Sequence, residues 1–304
     1  MKPIYEAAAI QIEVTNACNL KCSNCTRFIG HHKKSYFMDL ETIRKAIASL
    51  EGYEGCIGLM GGEPTLHPQF AEICKIYQEM IPDKTKRYLW TNGLNWNKYE
   101  DIIRETFEIE HIVYNDHSEY TKGYHQQLLI AADEIIEDKE LMWKLIDNCW
   151  VQKRWSPSIN PKGCFFCEVA AAQDLLFEGP GGYSLEKDWW KKEPKDFKDQ
   201  IKRYCVNCSA AIPMNIESSS SVYDLISKGN AEKLKKIGSL KFLCGKMKIY
   251  NKKYTLQDYE KNSKDWKPGY FRDFVQHEPG IRILRDGTKE YNDSIKGKEK
   301  EQKK

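Results

Sequence analysis

Cys18-Asn19-Leu20-Lys21-Cys22-Ser23-Asn24-Cys25 decides how this chain is read. The stretch is a C-x3-C-x2-C cluster that follows a largely apolar run, Ala7 to Val14. Three thiolates this close in sequence can reach one metal centre, and the number three is informative. A structural tetrahedral site takes four ligands, whereas a cubane held by only three cysteines keeps one iron open to a substrate or cofactor. An open iron suggests chemistry rather than scaffolding. Taken alone, the same residues also fit a zinc knuckle short of its fourth ligand, or reduced thiols in a buried loop.

Working outward, residues Ala7 to Thr15 read as a strand, with Ile10, Ile12 and Val14 on one face and Gln11 and Glu13 on the other, so that the polar face can line a barrel interior. The cysteine loop then runs through the basic patch His31-His32-Lys33-Lys34. Asp39 is placed to cap a helix from Leu40 to about Leu50. A second strand-helix unit begins at Cys56 to Met60, passes through Gly61-Gly62-Glu63, and leads to a helix from about Pro68 to Met80. A glycine pair ending a strand lets the backbone approach a ligand closely, and the carboxylate after it can accept hydrogen bonds from an ammonium group. A ligand-free turn is the plainer reading of the same residues. The third unit is Arg87 to Trp90, ending in Thr91-Asn92-Gly93, with a helix from about Lys98 to Phe107. A fourth strand, His111 to Tyr114, ends in Asn115-Asp116-His117-Ser118. Parallel α/β sheets bind ligands at the carboxyl ends of their strands, so these polar clusters are candidate site residues.

The cysteine spacing resembles the signature of the radical S-adenosylmethionine (SAM) superfamily. That resemblance implies that Cys18, Cys22 and Cys25 bind three irons of a 4Fe-4S cluster whose fourth iron is chelated by SAM. Gly61, Gly62 and Glu63 match the GGE motif that contacts the methionyl amino group there. Thr91, Asn92 and Asn115 are then the candidates for the ribose, the carboxylate or substrate. One position departs from the pattern: the residue before the third cysteine is commonly aromatic in the superfamily, and here it is Asn24. The family's chemistry implies reductive cleavage of SAM to a 5′-deoxyadenosyl radical that abstracts a hydrogen atom. It also implies a low-potential electron donor such as flavodoxin or ferredoxin.

Further on, a helix is expected from about Tyr124 to Glu137, short strands at Leu145-Ile146 and Trp150-Val151, and extended chain through Trp155 to Pro161 because of its prolines. Cys164-x2-Cys167 and Cys205-x2-Cys208 form a second constellation, on either side of a helix from Glu168 to Phe177 and the loop Gly179-Pro180-Gly181-Gly182. Four sulfurs from two close pairs suit a tetrahedral zinc site or a second iron-sulfur cluster. In the same superfamily such C-terminal sets often hold an auxiliary 4Fe-4S cluster, in modules called SPASM or twitch. The spacing here is similar in kind only, and a second 4Fe-4S cluster is favoured over zinc. The single residues Cys56, Cys74, Cys149 and Cys244 read as small core fillers. Cys244 has a second reading as a catalytic hydrogen-atom donor, by its likeness to the late thiol of some radical SAM epimerases. Trp143, Trp150, Trp155, Tyr183, Trp189 and Trp190 point towards a carbohydrate-like ligand, although core packing accounts for most such rings. Short helices are expected at about Val222 to Ser227 and Ala231 to Ile237.

Composition excludes several classes. With 47 basic and 44 acidic residues among 304, the net charge of +3 gives no global argument for nucleic acid. No apolar stretch reaches transmembrane length and no signal peptide is evident, so a cytoplasmic enzyme is expected. Eleven cysteines, an odd number, fit metal ligation in a reducing compartment better than a disulfide framework. The expected fold is α/β: a partial (β/α)6 TIM-like barrel of about six parallel strands with a smaller C-terminal cysteine-bearing module. Residues 1–155 would form the N-terminal part of the barrel and 156–285 its remainder with the auxiliary module, while 286–304 would be a charged, disordered tail. The expected activity is hydrogen abstraction from a small-molecule substrate, with epimerisation or dehydrogenation as outcome. Peptide modification is an alternative, and so is a non-catalytic zinc or iron-sulfur protein used for binding or electron transfer.

Overall fold

The computed structural model describes residues 1–115, 124–154, 156–215, 217–218, 221–266, 274–278, 281–284 and 287–291. The first half follows the strand-helix alternation of the sequence. Strand β1 (Ala9–Thr15) is buried along its whole length and lies in the middle of the main sheet. Helix α1 (Leu40–Ala48) starts at Asp39, whose carboxylate accepts the Thr42 N–H. Then follow β2 (Cys56–Gly61), α2 (Phe70–Met80), β3 (Arg87–Thr91), α3 (Trp96–Thr106) and β4 (Ile112–Tyr114). Strands β1 to β4 are all parallel, in register Ile12↔Leu59, Leu59↔Leu89 and Leu89↔Ile112. Parallel pairing brings the carboxyl ends of all four strands, and the loops that leave them, to one rim.

The second half departs from the expected alternation. Tyr124 and His125 form a short strand, β5, and only Ala132–Ile135 (α4) of the expected helix is helical. Gln126 explains the difference: its buried amide donates to the carbonyls of Ser209, Ala210 and Ile212, tying this stretch to distant chain rather than to its own helix. Leu145-Ile146 belong to helix α5 (Lys139–Asp147), capped by Asp138, with Leu141, Met142, Leu145 and Ile146 on its buried face. Trp150-Val151 lie in a turn. Strand β6 (Ser158–Asn160) pairs parallel with β1, and β7 (Gly163–Phe165) antiparallel with β6.

The six-stranded sheet therefore runs β4-β3-β2-β1-β6-β7. It is largely parallel and open, with one antiparallel edge, in place of the expected barrel of six parallel strands. Helices α6 (Glu168–Leu176) and α7 (Lys198–Tyr204) pack against this edge. Beyond them come β8 (Glu217–Ser218), paired with β5, and β9 (Asp224–Ile226), where a helix was expected. After α8 (Lys228–Lys236) and α9 (Leu240–Leu243), strand β10 (Met247–Ile249) pairs with β9. Helix α10 (Leu256–Asn262) precedes a three-stranded antiparallel sheet, β11 (Phe274–Glu278), β12 (Ile281–Leu284) and β13 (Lys289–Tyr291). The last strand lies within the stretch expected to be a charged tail, and 292–304 fall outside the described residues. No helix among the described residues is long and apolar enough to cross a membrane.

Candidate active site at the sheet rim

The cysteine loop leaves β1 and is fastened at once to the end of β2. Gly62 N–H donates to Thr15 O at 2.7 Å and Glu63 N–H to Ala17 O at 2.7 Å. Both glycines are needed for this approach. A Cβ on Gly61 would stand 2.1 Å from Thr15 O, and one on Gly62 2.3 Å from Ala17 O. Glu63 is fully buried, and its carboxylate accepts four hydrogen bonds: from Thr65 N–H and Oγ1, from Thr91 Oγ1 at 2.8 Å and from Asn92 N–H at 2.6 Å. Burial raises its pKa, against the pull of those four donors. The GGE and TNG motifs thus meet in one hydrogen-bonded unit. Asn92 carries it on to the cysteine loop, where its amide donates to Asn19 Oδ1 at 2.9 Å and lies 3.7 Å from Cys18 Sγ. Asn115 N–H closes the rim onto Thr91 O at 2.7 Å, while Asp116, His117 and Ser118 fall outside the described residues.

Cys18, Cys22 and Cys25 form no disulfide and are partly exposed. The Cys18 thiol is pushed up to about 12, first by burial and then by the neighbouring Cys25, Glu63 and Cys22, against the Leu20 N–H that it accepts. Without a cation the Cys18 sulfur therefore stays protonated; a metal would displace the proton. Among the described residues no three His, Cys, Asp or Glu side chains converge as the ligands of a single ion must. A cubane offers three separate irons, so its three cysteines need not converge on one point. The donor set, three soft thiols on one loop, fits such a cluster. Asn24, where the family pattern has an aromatic residue, is buried at φ 51° and donates its N–H to Asp224 Oδ1 at 2.8 Å. Asparagine suits this left-handed turn better than a ring does.

Residues far along the chain hold the loop, and sequence reasoning missed them. Asp224 on β9 accepts from Asn24, from His31 Nε2 at 2.8 Å and from Lys241 Nζ at 2.8 Å. Lys241, on α9, also donates to Cys22 O at 2.9 Å, and Ser239 Oγ lies 2.7 Å from His31 Nδ1. Burial alone would raise the Asp224 pKa; His31 and Lys241 outweigh it and hold the carboxyl at about 2. Ser23 is tied twice, to Tyr223 O through its hydroxyl and to His125 through its carbonyl. Cys244 follows α9 at its C-cap, and its thiol is exposed.

Beneath the rim, Arg27 is 4% exposed and holds the polar face of β1. Its guanidinium meets Glu13 at 3.0 Å, Glu168 at 3.0 Å, Gln11 and the Met60 sulfur. Gln11 and Glu13 are therefore interior, as the alternation in β1 indicates. Arg27 follows Cys25 by two residues and Glu168 follows Cys167 by one, so this buried ion pair joins the two cysteine regions directly.

In the second constellation the structure brings together Cys167, Cys205 and Cys208 and leaves Cys164 apart. Cys167 caps the start of α6, and Cys205 and Cys208 bracket the turn after α7. These three line one almost wholly apolar cavity, together with Cys149, a residue read from sequence as a core filler. Each of the three is raised first by burial and then by nearby thiols of the same group, Cys149 included. Cys164 is raised by burial alone. Of the aromatic residues that suggested a carbohydrate, Trp189 and Trp190 are buried in the core, Trp143 is exposed, and Trp155 falls outside the described residues.

Residues 12–114, the segment that builds this rim, match the Radical SAM superfamily model. That segment is thus similar to the radical SAM superfamily. Over 102 residues it is 31% identical to a probable GTP 3′,8-cyclase of Methanococcus maripaludis, covering 33% of each chain. Over 97 residues it is 33% identical to the GTP 3′,8-cyclase of Chlorobaculum tepidum, covering 32% of this chain and 29% of the relative. These matches span about a third of the relatives' length. Among solved structures, BtrN in complex with AdoMet and 2-DOIA is 18% identical with a TM-score of 0.42, over 66% of this chain and 88% of that one. Streptococcus suis SuiB bound to S-adenosylmethionine is 12% identical with a TM-score of 0.30, over 85% of this chain and 46% of that one. Both are loose likenesses of overall shape.

Proposed function

We propose that this chain is a radical SAM enzyme that abstracts a hydrogen atom from a small-molecule substrate. The observation that carries the reading is the junction at the rim, where Glu63 bonds Thr91 and Asn92, and Asn92 bonds the loop of Cys18, Cys22 and Cys25. Those three cysteines would hold the cluster. When bound, a reduced 4Fe-4S cluster and SAM supply a 5′-deoxyadenosyl radical and methionine. Glu63, Thr91 and Asn92 shape the polar wall beside the loop, and Gly61 and Gly62 allow that wall to close on it. Asp224 and Lys241 fix the loop from the other side. Cys167, Cys205 and Cys208 belong in this reading to a second 4Fe-4S cluster. A flavodoxin or ferredoxin would supply electrons in a reducing, cytoplasmic setting.

Dehydrogenation is placed ahead of epimerisation because the Cys244 thiol is exposed, where a carbon radical in a sheltered site would not find it. An epimerase that uses Cys244 as donor would, as Cys244→Ala, still release 5′-deoxyadenosine but give no inverted product; a dehydrogenase would keep turning over. The curated relatives match only about a third of this chain, so GTP enters the assay as one candidate among nucleotides, sugars and peptides. The test is anaerobic reconstitution with iron and sulfide, followed by reductant and SAM. Wild type should bind SAM and release 5′-deoxyadenosine, and the variant with Cys18→Ala, Cys22→Ala and Cys25→Ala should not. A wild-type chain that takes up iron yet shows no affinity for SAM would be a binding or electron-transfer protein instead.

A further inference from the structure

The sequence pairs Cys164 with Cys167, but the fold separates them. Cys164 lies on β7, where its N–H donates to Tyr183 O at 2.8 Å and its carbonyl accepts from Tyr183 N–H at 2.9 Å. Its thiol is 3.6 Å from Ser184 O. The loop Gly179-Pro180-Gly181-Gly182 presses on the same residue, so closely that a Cβ on Gly182 would stand 2.3 Å from Cys164 O. Cys164 is wholly buried and does not line the cavity shared by the other thiols.

Cys149 does line it. The residue sits in the turn after α5, with its N–H on Ile146 O and its carbonyl accepting from Lys153 N–H. Four thiols from three separate chain segments, Cys149, Cys167, Cys205 and Cys208, thus surround one space walled otherwise by groups such as Ile146, Phe166, Val169 and Ala210. The space unfilled by protein atoms is about 390 Å³, its mouth included. Among the described residues no three His, Cys, Asp or Glu side chains converge as the ligands of one zinc ion would. Cys208 Sγ accepts the Ala210 N–H at 3.3 Å, the kind of backbone hydrogen bond that tunes a metal-bound thiolate. An apolar wall is a costly place for thiolates unless a cation takes up their charge.

We infer that Cys149, and not Cys164, completes a four-cysteine site with Cys167, Cys205 and Cys208 for a multi-iron cluster, while Cys164 serves the packing of β7. The inference rests on the reading of a second cluster given above. Its test uses the full chain carrying Cys18→Ala, Cys22→Ala and Cys25→Ala, so that bound iron reports on the second site alone. After anaerobic reconstitution this background should hold about four irons with matching sulfide. Adding Cys149→Ser should remove most of that iron and change the electron paramagnetic resonance signal of what is left. Adding Cys164→Ser, or Cys164→Ala, should leave iron, sulfide and signal as they were. A Cys149→Ser chain that keeps its iron and an unchanged signal overturns the assignment. So does loss of iron in either Cys164 variant when circular dichroism shows the chain folded. A background that binds no iron while wild type binds about four would instead remove the second cluster itself, and this inference with it.

Discussion

Gly62 shows how much of the rim depends on missing atoms. Its N–H bonds Thr15 O, and a Cβ there would meet the Ala17 backbone, which has no flexible end to swing away. Gly62→Ala should therefore push the cysteine loop off the end of β2, at a cost of about 1–3 kcal/mol. Chemical denaturation gives the cost, and iron content of a chain lacking the second set reports on the loop; unchanged values for both would refute the close fit. His32 offers a test at the same scale. Burial, more than any neighbour, lowers its pKa to about 4, with the Arg27 carbonyl pulling the other way. The unfolded chain takes up this proton near pH 6.5 and the folded chain only near 4, so between these values the unfolded state binds more protons and stability rises with pH. The change amounts at most to on the order of 3 kcal/mol for a partly screened ring. A nuclear magnetic resonance titration of His32 with a midpoint above 6 would contradict this environment.

Elements decide which of these residues meet, and they also decide what the sequence could tell. The cysteine loop, the GGE turn and the TNG turn were legible because each ends a strand in an unbroken strand-helix alternation, and parallel pairing then sends all three to one rim. The residues that hold the loop were not, because Asp224, Lys241 and His125 reach it from about 100 to 219 positions away. Asp224 reads locally as part of a helix; its pairing with Met247 makes it a strand, a fact that lives in a partner the local pattern cannot show. Cys149 was lost for the same reason, lacking any near neighbour of its kind. The Asp224–Lys241 pair can be probed as an element-to-element clamp. Removing one partner leaves the other buried and unpaired, so Asp224→Asn and Lys241→Met should each cost about 3–5 kcal/mol, and the double variant clearly less than their sum. Strict additivity in thermal or urea unfolding would show that the two do not act together. Asp224 also sets an acid limit: its contribution is present above its unfolded value near 3.8 and is lost as pH falls through about 2.

Across the whole molecule, the two cysteine regions share one buried charge. Arg27 stands two residues after the first set and its guanidinium bonds Glu168, the residue after Cys167, while a second edge of the same group forms an ion pair with Glu13 on the central strand. A planar cation with several fixed donors can satisfy Glu13, Glu168 and Gln11 at once; a lysine ammonium is a point charge on a different stem and cannot reproduce that fork. Arg27→Lys should therefore leave at least one carboxylate without its partner in a site that excludes water. The expected loss is about 3 kcal/mol or more of stability, since breaking a buried pair costs more than the pair contributes. The informative consequence is where the damage spreads. If Arg27 only steadies its own loop, Arg27→Lys lowers iron uptake by Cys18, Cys22 and Cys25 and leaves the second site as it was. If the ion pair also sets the start of α6, and with it the position of Cys167, both sites lose iron together. Measuring iron in chains lacking one cysteine set or the other separates these outcomes, and Glu168→Gln supplies the reciprocal case, with the defect expected first at the second site. Equal uptake by both sites in both variants, in chains that still fold, would mean that the buried bridge carries no constraint between them.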